Sequence, residues 1–360
     1  MNLSRSVKNI VRPDLLELKA YRSPCFEYQI KLDLNESPFD LPEEIKEAIF
    51  ERTRGLLWQR YHDEFETPLK KALADHVGHD SRGVLIGNGS NELIFHTLLS
   101  TVKNSGAVVS LEPSFSLYRQ NVKVLGGKPV PFWLSGESFT VDPREVIRLA
   151  RDSKADAVVL CSPNNPTGGR IPNEVIEKIA HSVEAAVVVD EAYAHFAGDN
   201  ALGLLRKCPN LIVIRTFSKA FGLAGLRFGF ALCAPELAEQ ICKVQLPHHV
   251  NFFTQLAALT LLERPELVEQ RVAEIKQGRK HLQTELSKIT GLKVFPSETN
   301  FVMIECNAKS PAEIFEGLLS RGILVRDISK YQGLGRCLRI TVGPPRDNDA
   351  FLEALREVTA

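Results

Sequence analysis

Short apolar runs alternate with helical patterns between about residues 32 and 246. The clearest apolar runs are residues 107–111, 157–161, 186–189 and 211–214. They are continuously apolar rather than alternating, which is typical of strands covered on both faces. The stretch 172–182 between two of these runs has apolar residues at helical spacing. Strands alternating with helices predict an α/β fold with a mostly parallel central sheet flanked by helices.

The pattern changes after Pro247. Two long helices are predicted over 251–262 and 265–286, followed by strands near 294 and over 301–305 and 337–342. This order indicates a smaller α+β unit. We therefore predict an N-terminal arm over residues 1–30, a large domain over 31–250 and a small domain over 251–360, a division that suits a chain of 360 residues.

Composition excludes several classes of protein. Lys+Arg and Asp+Glu both number 44, so a nucleic-acid binder with its usual basic excess is disfavoured. The seven cysteines are scattered and never spaced as C-x-x-C, unlike a disulfide framework or zinc site. The adjacent His248 and His249 lack further ligands at suitable spacing, so no metal is expected. With neither a signal-like nor a membrane-spanning apolar segment, a soluble cytoplasmic protein is expected.

Candidate chemistry is concentrated in the segment TFSKAFGLAGLRFG, residues 216–229. Lys219 directly follows a predicted strand, where open α/β sheets place their ligands. A lysine whose ammonium form is disfavoured by its surroundings becomes a nucleophile toward aldehydes. Ser218 and Arg227 offer a hydroxyl and a guanidinium suited to a phosphate. The competing interpretation is a glycine-rich loop carrying a solvated lysine.

Two more strand ends carry polar side chains. Asp190 ends the run VVVD, where a carboxylate is costly without a partner such as a protonated pyridine nitrogen. Tyr193, three residues later, could reach a phenolic oxygen on the same ring. Asn165, in the rigid turn SPNNPTGG, is a second candidate for that oxygen. Taken alone, Asp190 could equally be a helix cap.

Earlier in the chain, the sequence GNGSNE at 87–92 precedes an apolar helix expected to begin near Leu93. A glycine turn before a helix presents backbone N–H groups to an anion, so Ser90 and Asn91 are candidate phosphate ligands. A dinucleotide-binding G-x-G-x-x-G motif is excluded because position 92 is Glu. After the strand at 107–111, Phe115 could lay its ring on a cofactor face.

Taken in order, these motifs resemble the fold-type I pyridoxal 5'-phosphate (PLP) aminotransferases, and among them the histidinol-phosphate aminotransferase family. The finer similarities include LNESP at 34–38, TNF at 299–301, GILVRD at 322–327 and CLRITVG at 337–343. The resemblance implies that Lys219 carries PLP as a Schiff base and that Asp190 pairs with its ring nitrogen. It also implies that Asn165 and Tyr193 hold the ring oxygen. The implied phosphate ligands are Ser218, Arg227 and the amides near Ser90 and Asn91.

The resemblance also implies a substrate and a partner. Tyr21, Asn35, Arg326 and Arg339 would surround histidinol phosphate, and Arg339 would also bind the carboxylate of glutamate or 2-oxoglutarate. Tyr61 would reach the cofactor phosphate of the other subunit in a homodimer.

Two positions depart from the family pattern. His62 stands where relatives usually have proline, and the region after Tyr21 lacks a glycine that many relatives have. Both departures concern the substrate assignment rather than the PLP assignment.

The alternatives within the same fold are an aromatic amino-acid aminotransferase or a threonine-phosphate decarboxylase. A catalytically silent regulatory protein of this fold is a more distant alternative. A cofactor-free anion-binding protein would leave Asp190 and Lys219 unexplained.

Overall fold

The computed structural model describes residues 9–20, 25–62, 64 and 66–360. Its larger sheet has the strand order β2-β8-β7-β6-β5-β3-β4. Only β8 runs antiparallel to its neighbours; the remaining adjacent pairs are parallel. The strands are β2 Val84–Gly87, β3 Ala107–Glu112, β4 Lys128–Trp133, β5 Ala155–Cys161, β6 Ala186–Asp190, β7 Leu211–Thr216 and β8 Gly229–Leu232.

Both faces of this sheet are buried. In β6, Val187 and Val189 belong to one apolar core, whereas Val188 belongs to a second core across the sheet. This explains why the central strands are continuously apolar, since successive side chains point to opposite faces. The predicted α/β fold class and its four clearest strands are confirmed.

A second, smaller sheet has the strand order β1-β11-β12-β10-β9. Its strands are β1 Ile30–Leu32, β9 Leu292–Val294, β10 Phe301–Cys306, β11 Ile323–Asp327 and β12 Cys337–Thr341. β1 pairs with β11 in parallel, through partners such as Ile30 and Ile323, and the other pairs are antiparallel. The start of the chain thus contributes an edge strand to a sheet formed mainly by its last third. The boundaries near residues 30 and 250 remain predictions.

Helices cover both sheets. They are α1 Pro13–Leu16, α2 Glu43–Arg54, α3 Glu66–Val77, α4 Ser90–Thr101, α5 Leu117–Val124, α6 Pro143–Asp152, α7 Asn173–Ser182, α8 Pro235–Cys242, α9 Phe252–Leu262, α10 Pro265–Leu286, α11 Pro311–Leu319 and α12 Pro345–Thr359. None of the helices in the described ranges is long and apolar enough to cross a membrane.

The start of α4 differs from the prediction. The helix begins at Ser90 rather than near Leu93, because Gly89 at its N-cap has a φ of 86° and turns the chain into the helix three residues early. Ser90 and Asn91 therefore lie in the first helical turn, where backbone N–H groups lack partners within the helix.

Candidate active site

A cavity of about 320 Å³ opens where the carboxyl ends of the central strands face the smaller sheet. Most of the predicted site residues line it: Asn35, Ser90, Asn91, Phe115, Asn165, Asp190, Tyr193, Ser218, Lys219, Arg227, Arg326 and Arg339. Parallel strands end at one edge of their sheet, which is why residues far apart in sequence converge there.

Lys219 follows β7 and projects into this cavity. Its Nζ donates a hydrogen bond to the Leu34 carbonyl at 2.9 Å and lies 6.0 Å from the centre of the Tyr193 ring. Burial, assisted by the positive charge of Arg339, lowers the pKa of Lys219 to about 7. A large fraction of the amine is thus neutral near neutral pH, as a nucleophile toward a carbonyl carbon requires.

Asp190 ends β6 and is only 4% exposed. Its Oδ2 accepts a hydrogen bond from the Tyr118 hydroxyl at 2.6 Å, and its Oδ1 accepts one from the Ala192 amide at 3.0 Å. Burial raises the pKa of Asp190, and the Tyr118 hydrogen bond opposes that rise. A carboxylate held by neutral donors at a cavity wall is suited to a cationic ligand atom.

Tyr193 and Asn35 join the two sheets across the cavity. The Asn35 Nδ2 donates to the Tyr193 hydroxyl at 2.9 Å. The backbone of Asn35 has a φ of 54°, and it is held by the Thr341 hydroxyl, which accepts from its amide, and by Asn300, which donates to its carbonyl. Because the Tyr193 oxygen accepts from Asn35, its own proton is available to a ligand oxygen.

Three anion-binding elements converge at one end of the cavity. They are the first turn of α4, the Ser218 hydroxyl and the Arg227 guanidinium. Arg227 Nη1 donates to Ser218 Oγ at 3.4 Å, and a Cβ placed on Gly89 would lie 2.6 Å from Arg227 Nη2. The guanidinium therefore lies against the start of the helix, and the three elements together form a group of donors suited to an anion.

Two arginines occupy the side of the cavity formed by the smaller sheet. Arg326 and Arg339 are direct partners in the pairing of β11 with β12, so their side chains lie on the same face. Arg339 donates to Asn165 Oδ1 at 2.6 Å and to the Asp33 carbonyl at 2.5 Å, while its Nε is buried without a partner among the described residues. Burial lowers the pKa of Arg339, and the charge of Arg326 adds to this effect. Such a pair favours an anionic ligand.

The remaining predicted residues lie elsewhere. Tyr61 is 78% exposed and outside the cavity, with its ring stacked on His248 at a centroid distance of 4.1 Å. Its predicted role concerns a second subunit and stays a prediction. Tyr21 lies outside the described residues.

Comparison with known proteins places the chain in a family. The model of "aminotransferase class I and II" matches residues 27–355. The chain belongs to the class I and II aminotransferases. The histidinol-phosphate aminotransferase of Thermoanaerobacter sp. (strain X514) is 38% identical over 352 residues, which cover 98% of this chain and 99% of that protein. The corresponding protein of Chlorobium phaeovibrioides is 38% identical over 355 residues, 98% of each chain.

Solved structures agree with this assignment. Histidinol-phosphate aminotransferase from Sinorhizobium meliloti, in complex with pyridoxal-5'-phosphate, superimposes with a TM-score of 0.87 at 27% identity, covering 99% of this chain and 98% of that one. The enzyme from Clostridium acetobutylicum gives 0.85 at 28% identity, covering 92% and 99%.

Several residues lining the aminotransferase cavity were not predicted from the sequence, including Glu36, Tyr118, Cys161, Ile328 and Tyr331. Tyr118 could have been found from its spacing of three residues from Phe115, because the turn that leads into α5 joins the two, with the Tyr118 amide donating to the Phe115 carbonyl at 3.1 Å. Tyr331 follows the end of β11 in an irregular segment, where sequence spacing carries no information on direction.

Proposed function

We propose that this chain is a PLP-dependent histidinol-phosphate aminotransferase, which exchanges an amino group between histidinol phosphate and 2-oxoglutarate in histidine biosynthesis. Relatives of that name match it over essentially their whole length. The observation that carries the substrate assignment is the pair formed by the partly buried Arg326 and the buried Arg339 on the cavity wall.

The cavity fits the cofactor by the chemistry of its groups. Asp190 is a buried carboxylate, and burial raises its pKa. A cationic partner, such as a protonated ring nitrogen, would stabilise its charged form. Lys219 supplies an amine of lowered pKa, and Ser218 and Arg227 supply phosphate donors beside the start of α4. Phe115 lines the same cavity and offers an aromatic face.

When bound, PLP serves as carrier of the amino group and as the electron sink for the carbon from which a proton is removed. The residues of the chain hold and move protons around it. The Lys219 amine, with its pKa near 7, can both accept and return the proton of the substrate carbon. Asp190 stabilises the positive ring nitrogen, and Tyr193 and Asn165 direct donors toward the ring oxygen.

The two arginines bind the anionic end of each substrate. A carboxylate is satisfied by one guanidinium through a bidentate pair, whereas a phosphate has oxygens for two. Arg339 is fixed by Asn165 and the Asp33 carbonyl, so it serves both substrates. Arg326, one strand away, chiefly serves the phosphate.

We also propose a homodimer in which Tyr61 reaches the partner's cofactor phosphate. Large apolar side chains near Tyr61, or near its ring partner His248, in sequence are exposed: Phe50, Leu57, Trp58 and Leu246 are between 56% and 72% exposed. Exposed apolar groups of this size favour a protein interface.

To test this function, PLP-loaded protein is mixed with histidinol phosphate, phenylalanine or threonine phosphate in separate single-turnover reactions. Conversion of histidinol phosphate with the highest kcat/KM, followed by regeneration with 2-oxoglutarate, supports the proposal. Faster conversion of phenylalanine would replace it by an aromatic aminotransferase, and release of carbon dioxide from threonine phosphate would replace it by a decarboxylase.

A further inference from the structure

Tyr118 lies beneath the cavity, in the first turn of α5. Its side chain is 1% exposed, and its ring packs edge-on against Phe115 at a centroid distance of 5.6 Å. Its hydroxyl donates to Asp190 Oδ2 at 2.6 Å across 72 residues of sequence. One aromatic residue thereby connects the ring offered to the cofactor face with the carboxylate at the end of β6.

The Asp190 carboxylate depends on the Tyr118 hydroxyl for its hydrogen bond from a side chain. The other oxygen of Asp190 is held by a backbone amide, that of Ala192, which no side-chain substitution removes. The neighbouring Cys161 is buried, and burial raises its pKa to about 12, so its thiol stays uncharged. Burial and the nearby negative charge of Asp190 also raise the pKa of Tyr118 well above its usual value, so its hydroxyl remains a donor at any working pH.

We propose that Tyr118 is a positioning residue: it fixes the orientation of the Asp190 carboxylate and keeps it ionised, so that Asp190 can hold the cofactor's ring nitrogen in its protonated form. This inference rests on the proposed function, because it assumes that PLP is the ligand of Asp190. A hydroxyl that only filled space would be replaceable by a hydrogen atom without consequence for the charge.

Tyr118→Phe removes that hydroxyl and keeps the ring that packs on Phe115. The Tyr118 hydrogen bond opposes the rise that burial causes, so its loss should raise the pKa of Asp190 further. The ring nitrogen of the cofactor would then be protonated in a smaller fraction of the molecules. The nitrogen that joins Lys219 to the cofactor would in turn keep its proton to a higher pH.

The readouts are the affinity of cofactor-free protein for PLP and the pH titration of the visible absorption of the bound cofactor. For Tyr118→Phe we expect PLP binding roughly tenfold weaker and a titration midpoint about one unit higher or more. The kcat should fall while KM for the amino substrate stays near that of the wild type. Tyr28→Phe removes the same atom from a half-exposed ring outside the cavity and should change none of these values.

Unchanged affinity and an unchanged midpoint in Tyr118→Phe would overturn the role of Tyr118. Asp190→Asn, measured in parallel, separates this failure from a failure of the cofactor assignment. If Asp190→Asn moves the midpoint and Tyr118→Phe does not, only the positioning role is wrong. If neither moves it, the pairing of Asp190 with the cofactor is wrong as well.

Discussion

Gly229 is the first residue of β8 and lies between the start of α4 and the end of β7. A Cβ at this position would meet the Ser90 backbone nitrogen at 2.7 Å, the Gly89 carbonyl carbon at 2.8 Å and the Arg215 carbonyl oxygen at 2.9 Å. All three are backbone atoms, so no side-chain rotation can relieve the contact. Gly229→Ala should therefore displace the first turn of α4, which carries the proposed phosphate donors.

The size of the effect follows from these distances. The nearest contact is about 0.7 Å shorter than the 3.4 Å at which ordinary contact begins. Overpacking of this kind costs about 1–3 kcal/mol of unfolding free energy. A charge-assisted hydrogen bond contributes about 1.5–3 kcal/mol, so misplacing one phosphate donor should weaken PLP binding roughly 10- to 100-fold.

The assay is an equilibrium titration of cofactor-free protein with PLP, together with thermal unfolding of the same samples. Gly225→Ala is the matched control, because Gly225 lies in the loop that precedes β8 and a Cβ there would meet no heavy atom within 4 Å. If Gly229→Ala bound PLP as tightly as Gly225→Ala, the start of α4 would not be the phosphate site.

Three further outcomes are expected. Burial and the charge of Arg339 lower the pKa of Lys219 to about 7. The rate at which cofactor-free protein captures PLP should therefore increase as the pH rises through about 7 and then level off. A rate that increases until about pH 10, the ordinary lysine value, would contradict this. Arg326→Ala should lower kcat/KM for histidinol phosphate about 10-fold or more and lower that for glutamate far less, whereas Arg339→Ala should impair both half-reactions. Single-turnover spectra of the two half-reactions measure these losses. Equal losses for both substrates in Arg326→Ala would remove its phosphate role. Mixing Lys219→Ala chains with Tyr61→Ala chains should restore activity above either parent, since each hybrid dimer holds one intact site; no gain after verified subunit exchange would place Tyr61 outside the partner's site.

The strands of the larger sheet could be predicted because burial on both faces leaves a local signal. The runs at 157–161 and 211–214 lie within β5 and β7, and the helix 265–286 has the predicted bounds. The pairing of β1 with β11 left no such signal. Ile30 is the first residue of a strand of only three residues, and nothing nearby in sequence indicates a partner at Ile323.

The candidate site was predictable where it depends on strand ends. Lys219 and Asp190 each follow an apolar run, so their convergence follows from the parallel sheet alone. The partner of Asp190 was not predictable in this way, because Tyr118 reaches it from the side of a helix. A tyrosine in an apolar helix pattern is ordinarily a core residue, and only its hydroxyl distinguishes it here.

The position of β1 at the edge of the smaller sheet affects when the chain can complete its fold during synthesis. The strands of the larger sheet are complete once residue 232 has been made, but β1 must wait for β11, and Asn35 must wait for a Thr341 that is 306 residues further along. Chains fold from the N-terminus during synthesis, and contacts this distant in sequence form late. The cavity takes walls from both sheets, so its substrate side, with Arg326 and Arg339, is completed only in the last tenth of translation, long after the proposed cofactor ligands have been made.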